Sequence, residues 1–129
     1  RLADYEVTRF IHEREKGKDG YIVFANQLLA AAAVAQFGFG PYYPYHGQTV
    51  LYYSAPSASP LAEKFNALMG APEFDARELT AIADDIGVRR VYVIVTDYWS
   101  PSTPALGAMK REAALWKDFD GAAQVFLFE

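Results

Sequence analysis

Two short runs, YIVFA at 21–25 and VYVIVT at 91–96, constrain the fold most, because neither contains a charged residue. A strand with one face in water alternates apolar and polar side chains, whereas a strand covered on both faces, as in a parallel sheet, reads as a continuous apolar run. Segments with helical signals surround both runs. Residues 2–15 place Leu2, Tyr5, Val7, Phe10 and Ile11 at roughly helical spacing. Asn26 directly follows the first run and is placed to cap an Ala-rich helix at 27–37, which Gly38 and Gly40 end. TVLYYS at 49–54 reads as a further strand. Ser59 and Pro60 supply a cap and a first-turn proline for a helix to Met69, stopped by Gly70. Asp75 and Glu78 have capping-box spacing, and Leu79, Ile82, Ala83 and Ile86 line one face before Gly87. Thr103 and Pro104 open a last helix through about Trp116, and 124–128 is the final strand.

The resulting order, α-β-α-β-α-α-β-α-β, predicts an α/β fold: a three-layer sandwich with a mainly parallel sheet of about four strands and helices on both faces. The strands at 21–25, 49–54 and 90–96 are expected to be mutually parallel, and 124–128 an antiparallel edge. The 129 residues suit one domain spanning 1–129, without repeat or linker. Because Arg1 already lies in a helical pattern and Glu129 ends on a strand, the expectation is an excised fragment of a larger protein, which the charge distribution and the resemblance below make a membrane protein.

Charge is distributed unevenly. Residues 1–20 carry ten charged side chains, 63–129 carry eighteen, and 21–62 carry none. One account is that buried elements follow one another there. The other is that part of this surface rests on an apolar partner, either a membrane domain of the same polypeptide or the bilayer surface, where Tyr and Trp collect. Five of the nine tyrosines lie in PYYPYHGQTVLYY at 41–53. The expected docking surface is Phe39, Tyr42, Tyr43, Tyr45 and His46. A net charge of −4 argues against nucleic acid, and the absence of cysteine removes disulfides and thiolate chemistry.

No catalytic motif emerges, and no cofactor or metal is expected. GFGPYY follows a helix, whereas a dinucleotide-binding turn must follow a strand. Asp118-Phe119-Asp120 has a two-carboxylate form that could hold a divalent cation, yet it sits at a predicted helix end beside Gly121, where solvated acids are common. His12 lies on a charged helix face, and His46 lacks an assigned carboxylate partner. Location is more informative, because open parallel sheets bind ligands beyond the carboxyl ends of their strands. Asn26, Ser54, Asp97, Tyr98 and Trp99 are therefore the candidate ligand-binding residues, with Ser57, Ser59 and Ser102 nearby. Aromatic rings beside amide and carboxylate groups suit a glycan.

The arrangement of GYIVFANQLLAAAAVAQFGFG, a Tyr/Pro segment with its strand, GVRRVYVIVTDYW and a closing AAQVFLFE resembles the C-terminal extracytoplasmic domains of polytopic membrane glycosyltransferases of the protein-mannosyltransferase-like (GT-C) type. The resemblance covers most of the chain as a pattern. It implies a non-catalytic, membrane-associated domain on the periplasmic or cell-surface side, belonging to a protein that uses a lipid-linked sugar. It carries over no catalytic residue. The competing expectation is a self-contained small-ligand-binding α/β domain or enzyme, with Asn26, His46 and Asp97 in one pocket.

Overall fold

A computed structural model describes residues 2–16, 20–54 and 60–129. The elements are α1 (Leu2–Glu15), β1 (Tyr21–Phe24), α2 (Gln27–Phe37), β2 (Tyr42–Tyr45), β3 (Gln48–Leu51), β4 (Tyr53–Ser54), α3 (Pro60–Gly70), α4 (Ala76–Ile86), β5 (Arg90–Thr96), α5 (Thr103–Glu112), β6 (Leu115–Phe119) and β7 (Ala123–Phe128). Local chemistry sets the helix ends. Asn26 adopts an extended backbone and its side-chain oxygen accepts from Leu29 N at 3.0 Å. Asp75 accepts from Arg77 N at 3.0 Å, and Gly87, left-handed at φ 92°, donates to Ala83 O. The predicted Ser59 cap lies outside the described residues.

The main sheet has the order β4-β1-β5-β7-β6. β1 is parallel to β4, with Phe24 opposite Ser54, and parallel to β5, with Phe24 opposite Val93. β7 runs antiparallel to both β5 and β6. The α/β class and the parallel trio of strands agree with expectation, but the sheet is mixed and has five strands among the described residues. The segment 49–54 divides. Its first part pairs with β2 as a separate antiparallel hairpin, and Tyr53–Ser54 alone joins the main sheet. The last helix stops at Glu112, where Ala113 turns extended, so Trp116 lies in a strand rather than a helix. β7 is consequently interior, and β6 is the edge.

Two turns explain these departures. His46 and Gly47 have φ of 46° and 78°, the mirror-image turn whose twist matches two antiparallel strands. Asp120 and Gly121, at 53° and 72°, close the second hairpin. Asp118 belongs to that turn, its carboxylate accepting from Gly121 N at 3.2 Å. The Asp-Phe-Asp triplet therefore sits at a hairpin turn and not at a helix end.

Alternation along the strands separates two cores. Ile22, Phe24, Val91, Val93, Val95, Phe126 and Phe128 pack with α3, α4 and Met109 of α5. Tyr21, Val23, Ala25, Tyr92, Ile94, Val125 and Leu127 pack with Val7 and Ile11 of α1 and Leu29 and Ala33 of α2. A polar node ties α1 to the second side of the sheet. Glu15, only 3% exposed, accepts from Arg90 Nη2 at 2.7 Å and Nε at 2.9 Å, and from the Tyr92 hydroxyl at 2.5 Å.

Removing one member of a buried ion pair strands the other charge, at a cost of about 3–5 kcal/mol. Glu15→Ala is therefore expected to lower unfolding free energy by about 3 kcal/mol in urea titration. A loss under about 1 kcal/mol would mean that the pair behaves as a solvent-screened surface bridge.

The same core holds a group of tyrosines whose ionisation is suppressed. Burial, the largest cause, raises the Tyr21, Tyr53 and Tyr92 hydroxyls above their ordinary value of 10.0, and the hydrogen bond to Glu15 adds to the effect at Tyr92. Below about pH 10 these phenols are neutral in both states and their contribution is fully present. Above it the unfolded chain ionises while the folded chain resists, so stability falls as pH rises. The urea midpoint should drop above about pH 10, with part of the phenolate absorbance near 295 nm appearing only on unfolding. Full tyrosine ionisation in the folded chain would contradict this.

Candidate functional site

The carboxyl ends of β1, β4 and β5 meet at one edge of the sheet, because all three strands are parallel. The predicted ligand residues are all placed there, in unlike roles. Asn26 ends β1 and caps α2. Its Oδ1 is engaged by Leu29 N, while Nδ2 is buried without a hydrogen-bond partner. Ser54 ends β4, opposite Phe24. Asp97 is exposed, and its backbone N–H donates to Ala122 O at 3.1 Å. Trp99 folds back against β5, forming an isolated bridge to Thr96, and its half-buried ring stacks on Phe65 at 5.9 Å. Ser102 is structural: Oγ donates to Ala71 O and accepts from Ala105 N, joining the end of α3 to the start of α5. Ser57 and Ser59 lie outside the described residues.

Tyr98 points the other way from Trp99, toward the helices. Its hydroxyl donates to Asp4 Oδ1 at 3.2 Å. With Asp4, Tyr5, Leu28 and Ala32 it lines a cleft of about 410 Å³. The cleft exists because α1 and α2 lie side by side in the same direction, with Thr8 near Gln36 and His12 stacked on Phe37 at 3.9 Å. Their first turns therefore reach the carboxyl edge together. Tyr5 is 53% exposed, Leu28 69% and Tyr98 44%.

The sequence reading missed Asp4, Tyr5, Leu28 and Ala32. A signal existed: the buried stripes are Val7–Ile11 and Leu29–Ala33, and Tyr5 and Leu28 are large apolar side chains off those stripes. A larger hollow of about 540 Å³ lies between the α3–α4 link and α5. Its one aromatic lining residue, Phe74, packs on Phe128 at 5.8 Å and so serves the core.

The docking candidates divide between surface and core. Phe39 and Tyr42 are 67% and 52% exposed. Tyr45 is 3% exposed and belongs to the core with Val50, and half-buried Tyr43 donates its hydroxyl to Tyr21 O at 2.6 Å. The expected patch centred on Tyr42, Tyr43, Tyr45 and His46 is therefore reduced. A strand sends alternate side chains to opposite faces, so Tyr43 and Tyr45 turn inward while Tyr42 stays out. His46 occupies the hairpin turn with Nε2 3.8 Å from Asp85 of α4. Asp85 lies just before the amino end of β5, so His46 is at the opposite edge from Asn26 and Asp97. These three do not share a pocket.

Among the described residues, no cluster of three His, Asp or Glu side chains is arranged to hold a metal, and no helix is long and apolar enough to cross a membrane. Comparison with known protein families, curated proteins and solved structures finds no match for this chain.

The two aromatic residues after β5 should respond differently to truncation. Trp99→Ala removes the stacking on Phe65 and should cost about 2 to 3 kcal/mol of stability, below the roughly 3–5 kcal/mol of a fully buried aromatic. Tyr98→Ala should stay within about 0.5 kcal/mol. Chemical unfolding of both variants checks the contrast, and equal losses would remove the distinction between core support and cleft wall.

Proposed function

We propose that this chain is a three-layer α/β domain that binds a glycan-type ligand at the carboxyl edge of its sheet. It serves as a non-catalytic, extracytoplasmic part of a membrane-bound glycosyltransferase-like protein that uses a lipid-linked sugar. The observation that carries the binding reading is the cleft between Tyr5 and Tyr98, with the Asp4 carboxylate on its wall. Sugar rings have an apolar face that stacks on aromatic rings, and hydroxyls that donate to carboxylates. One wall stands on α1 and the other on the turn directly after β5, which the Thr96–Trp99 bridge closes. This rigidity limits the entropy lost on binding.

The partner in this reading is the membrane domain of the same polypeptide or the bilayer surface. The uncharged stretch 21–62 supports it, with Phe39 and Tyr42 as its exposed aromatics. Such groups partition to the interface between water and lipid. In the same open reading frame, a series of apolar spans of about 20 residues is expected.

The binding reading is tested by nuclear magnetic resonance titration with methyl glycosides and short oligosaccharides. Saturable shifts should map to Tyr5, Leu28 and Tyr98, and Tyr5→Ala or Tyr98→Ala should weaken binding at least tenfold, about 1.4 kcal/mol, without changing the melting temperature. Saccharide shifts indifferent to both substitutions, or absent altogether, would overturn it.

A further inference from the structure

We infer that the hollow of about 540 Å³ between the α3–α4 link and α5 is a binding site for a small zwitterion, an α-amino acid with an apolar side chain, whose carboxylate is received by Arg111. The site is independent of the cleft, because α3, α4 and α5 pack on one core while α1 and α2 pack on the other.

A glycine that the backbone does not need is the first observation. Gly107 lies in the middle of α5 without a positive φ, so no turn requires it there. Glycine inside a helix lowers stability relative to alanine, because it loses more conformational freedom on folding. Close packing of elements does not demand it either. Apart from its chain neighbours and the backbone of its own helix, a Cβ at this position would approach one group only, Arg111 Nη1 at 3.4 Å. Gly107 therefore makes room for a guanidinium.

Arg111 occupies that room. Long side chains on a helix lean toward its amino end, which lays the Arg111 head over the turn that contains Gly107. A cation serving only the helix dipole would instead reach for the carboxyl end, away from Gly107. In this position Arg111 and Gly107 line the hollow from α5, joined by Glu112, and Glu73 lines it from the α3–α4 link.

Charge then selects the ligand. The ion pairs among the described residues are His46–Asp85, Arg77–Asp75 and Arg90–Glu15, so none joins Arg111 to Glu73 or Glu112 although all three line one hollow. The planar fork of N–H donors on a guanidinium matches a carboxylate in bidentate fashion. A plain anion would also meet the two lining carboxylates, whereas a ligand with an ammonium beside its carboxylate complements both signs. Half-buried Phe74, held against Phe128, offers an apolar surface to the ligand's side chain. The volume lies within the roughly 300–1,000 Å³ usual for small-ligand pockets.

The experiment titrates the ¹⁵N-labelled 129-residue chain with phenylalanine, and separately with phenylpropionate and phenethylamine, each of which lacks one of the two charges. Saturable shifts are expected with phenylalanine at the Gly107 and Arg111 backbone amides and at Arg111 Nε, with both single-charge compounds at least tenfold weaker. Arg111→Gln should weaken the phenylalanine response at least tenfold with little change in melting temperature. Gly107→Ala separates a ligand role from a structural one: the added methyl displaces the guanidinium, so binding should weaken at least threefold while the melting temperature rises by about 3 °C. No saturable shift with phenylalanine, a single-charge compound that binds as tightly, or an undiminished response in Arg111→Gln would overturn the inference. A lowered melting temperature in Gly107→Ala would overturn it too, by making the glycine a packing requirement.

Discussion

The covering of β1 and β5 on both faces is the constraint from which the rest of the structure follows. Each strand sends alternate side chains into separate cores, so neither can lie at a solvent face without exposing Ile22, Phe24, Val91 or Val93 on one side, or Val23, Tyr92 and Ile94 on the other. Apolar packing must therefore cover both faces, and the crossover connections make β1 parallel to its two neighbours. The antiparallel addition of β7 and β6 completes the sheet without a further crossover. Because β7 also contributes to both cores, it needs β6 to remove it from the edge.

The Glu15 node supplies a direction that apolar packing cannot. An apolar stripe on α1 could slide along the sheet with modest loss, whereas a bidentate Arg90–Glu15 pair holding the Tyr92 hydroxyl fixes the last turn of α1 to one point of β5. Fixing the end of the helix also fixes its start. Asp4 and Tyr5 are carried to the carboxyl edge, where Tyr98 meets them. A buried structural ion pair near the amino end of β5 thus positions groups at the far end of the same helix.

At that edge, residues of one sequence class take different functions. Tyr98 and Trp99 are neighbours in the chain, yet one walls an open cleft and the other covers the core against Phe65. Asn26 does two things with one amide, its oxygen ending a helix and its nitrogen left as a donor. Leu28, two residues further on, lines the cleft. The helix cap and the wall of the aromatic cleft are therefore adjacent along the chain.

The sequence by itself determined the α/β class, the spans of α1 and α2, the caps at Asn26, Asp75 and Gly87, and the parallel relation of the first three sheet strands. These features rest on local hydrogen bonds and on hydrophobic period, both of which are written within a few residues. It did not determine the two hairpins. His46-Gly47 and Asp120-Gly121 carry the positive φ angles that such turns require, but the helix-compatible stretch 108–116 and the prolines at 41 and 44 obscured the strands beside them. Pairing with β3 and β7 decided those states, since a strand is stabilised by a partner remote in sequence. The burial of Tyr45, the pairing of Glu15 with Arg90 across 75 positions, and the meeting of Asp4, Tyr5 and Leu28 with Tyr98 were likewise settled by tertiary structure alone. No local pattern encodes which side chains two distant helices and a strand end bring together; only the packing of α1 and α2, both antiparallel to β5, does.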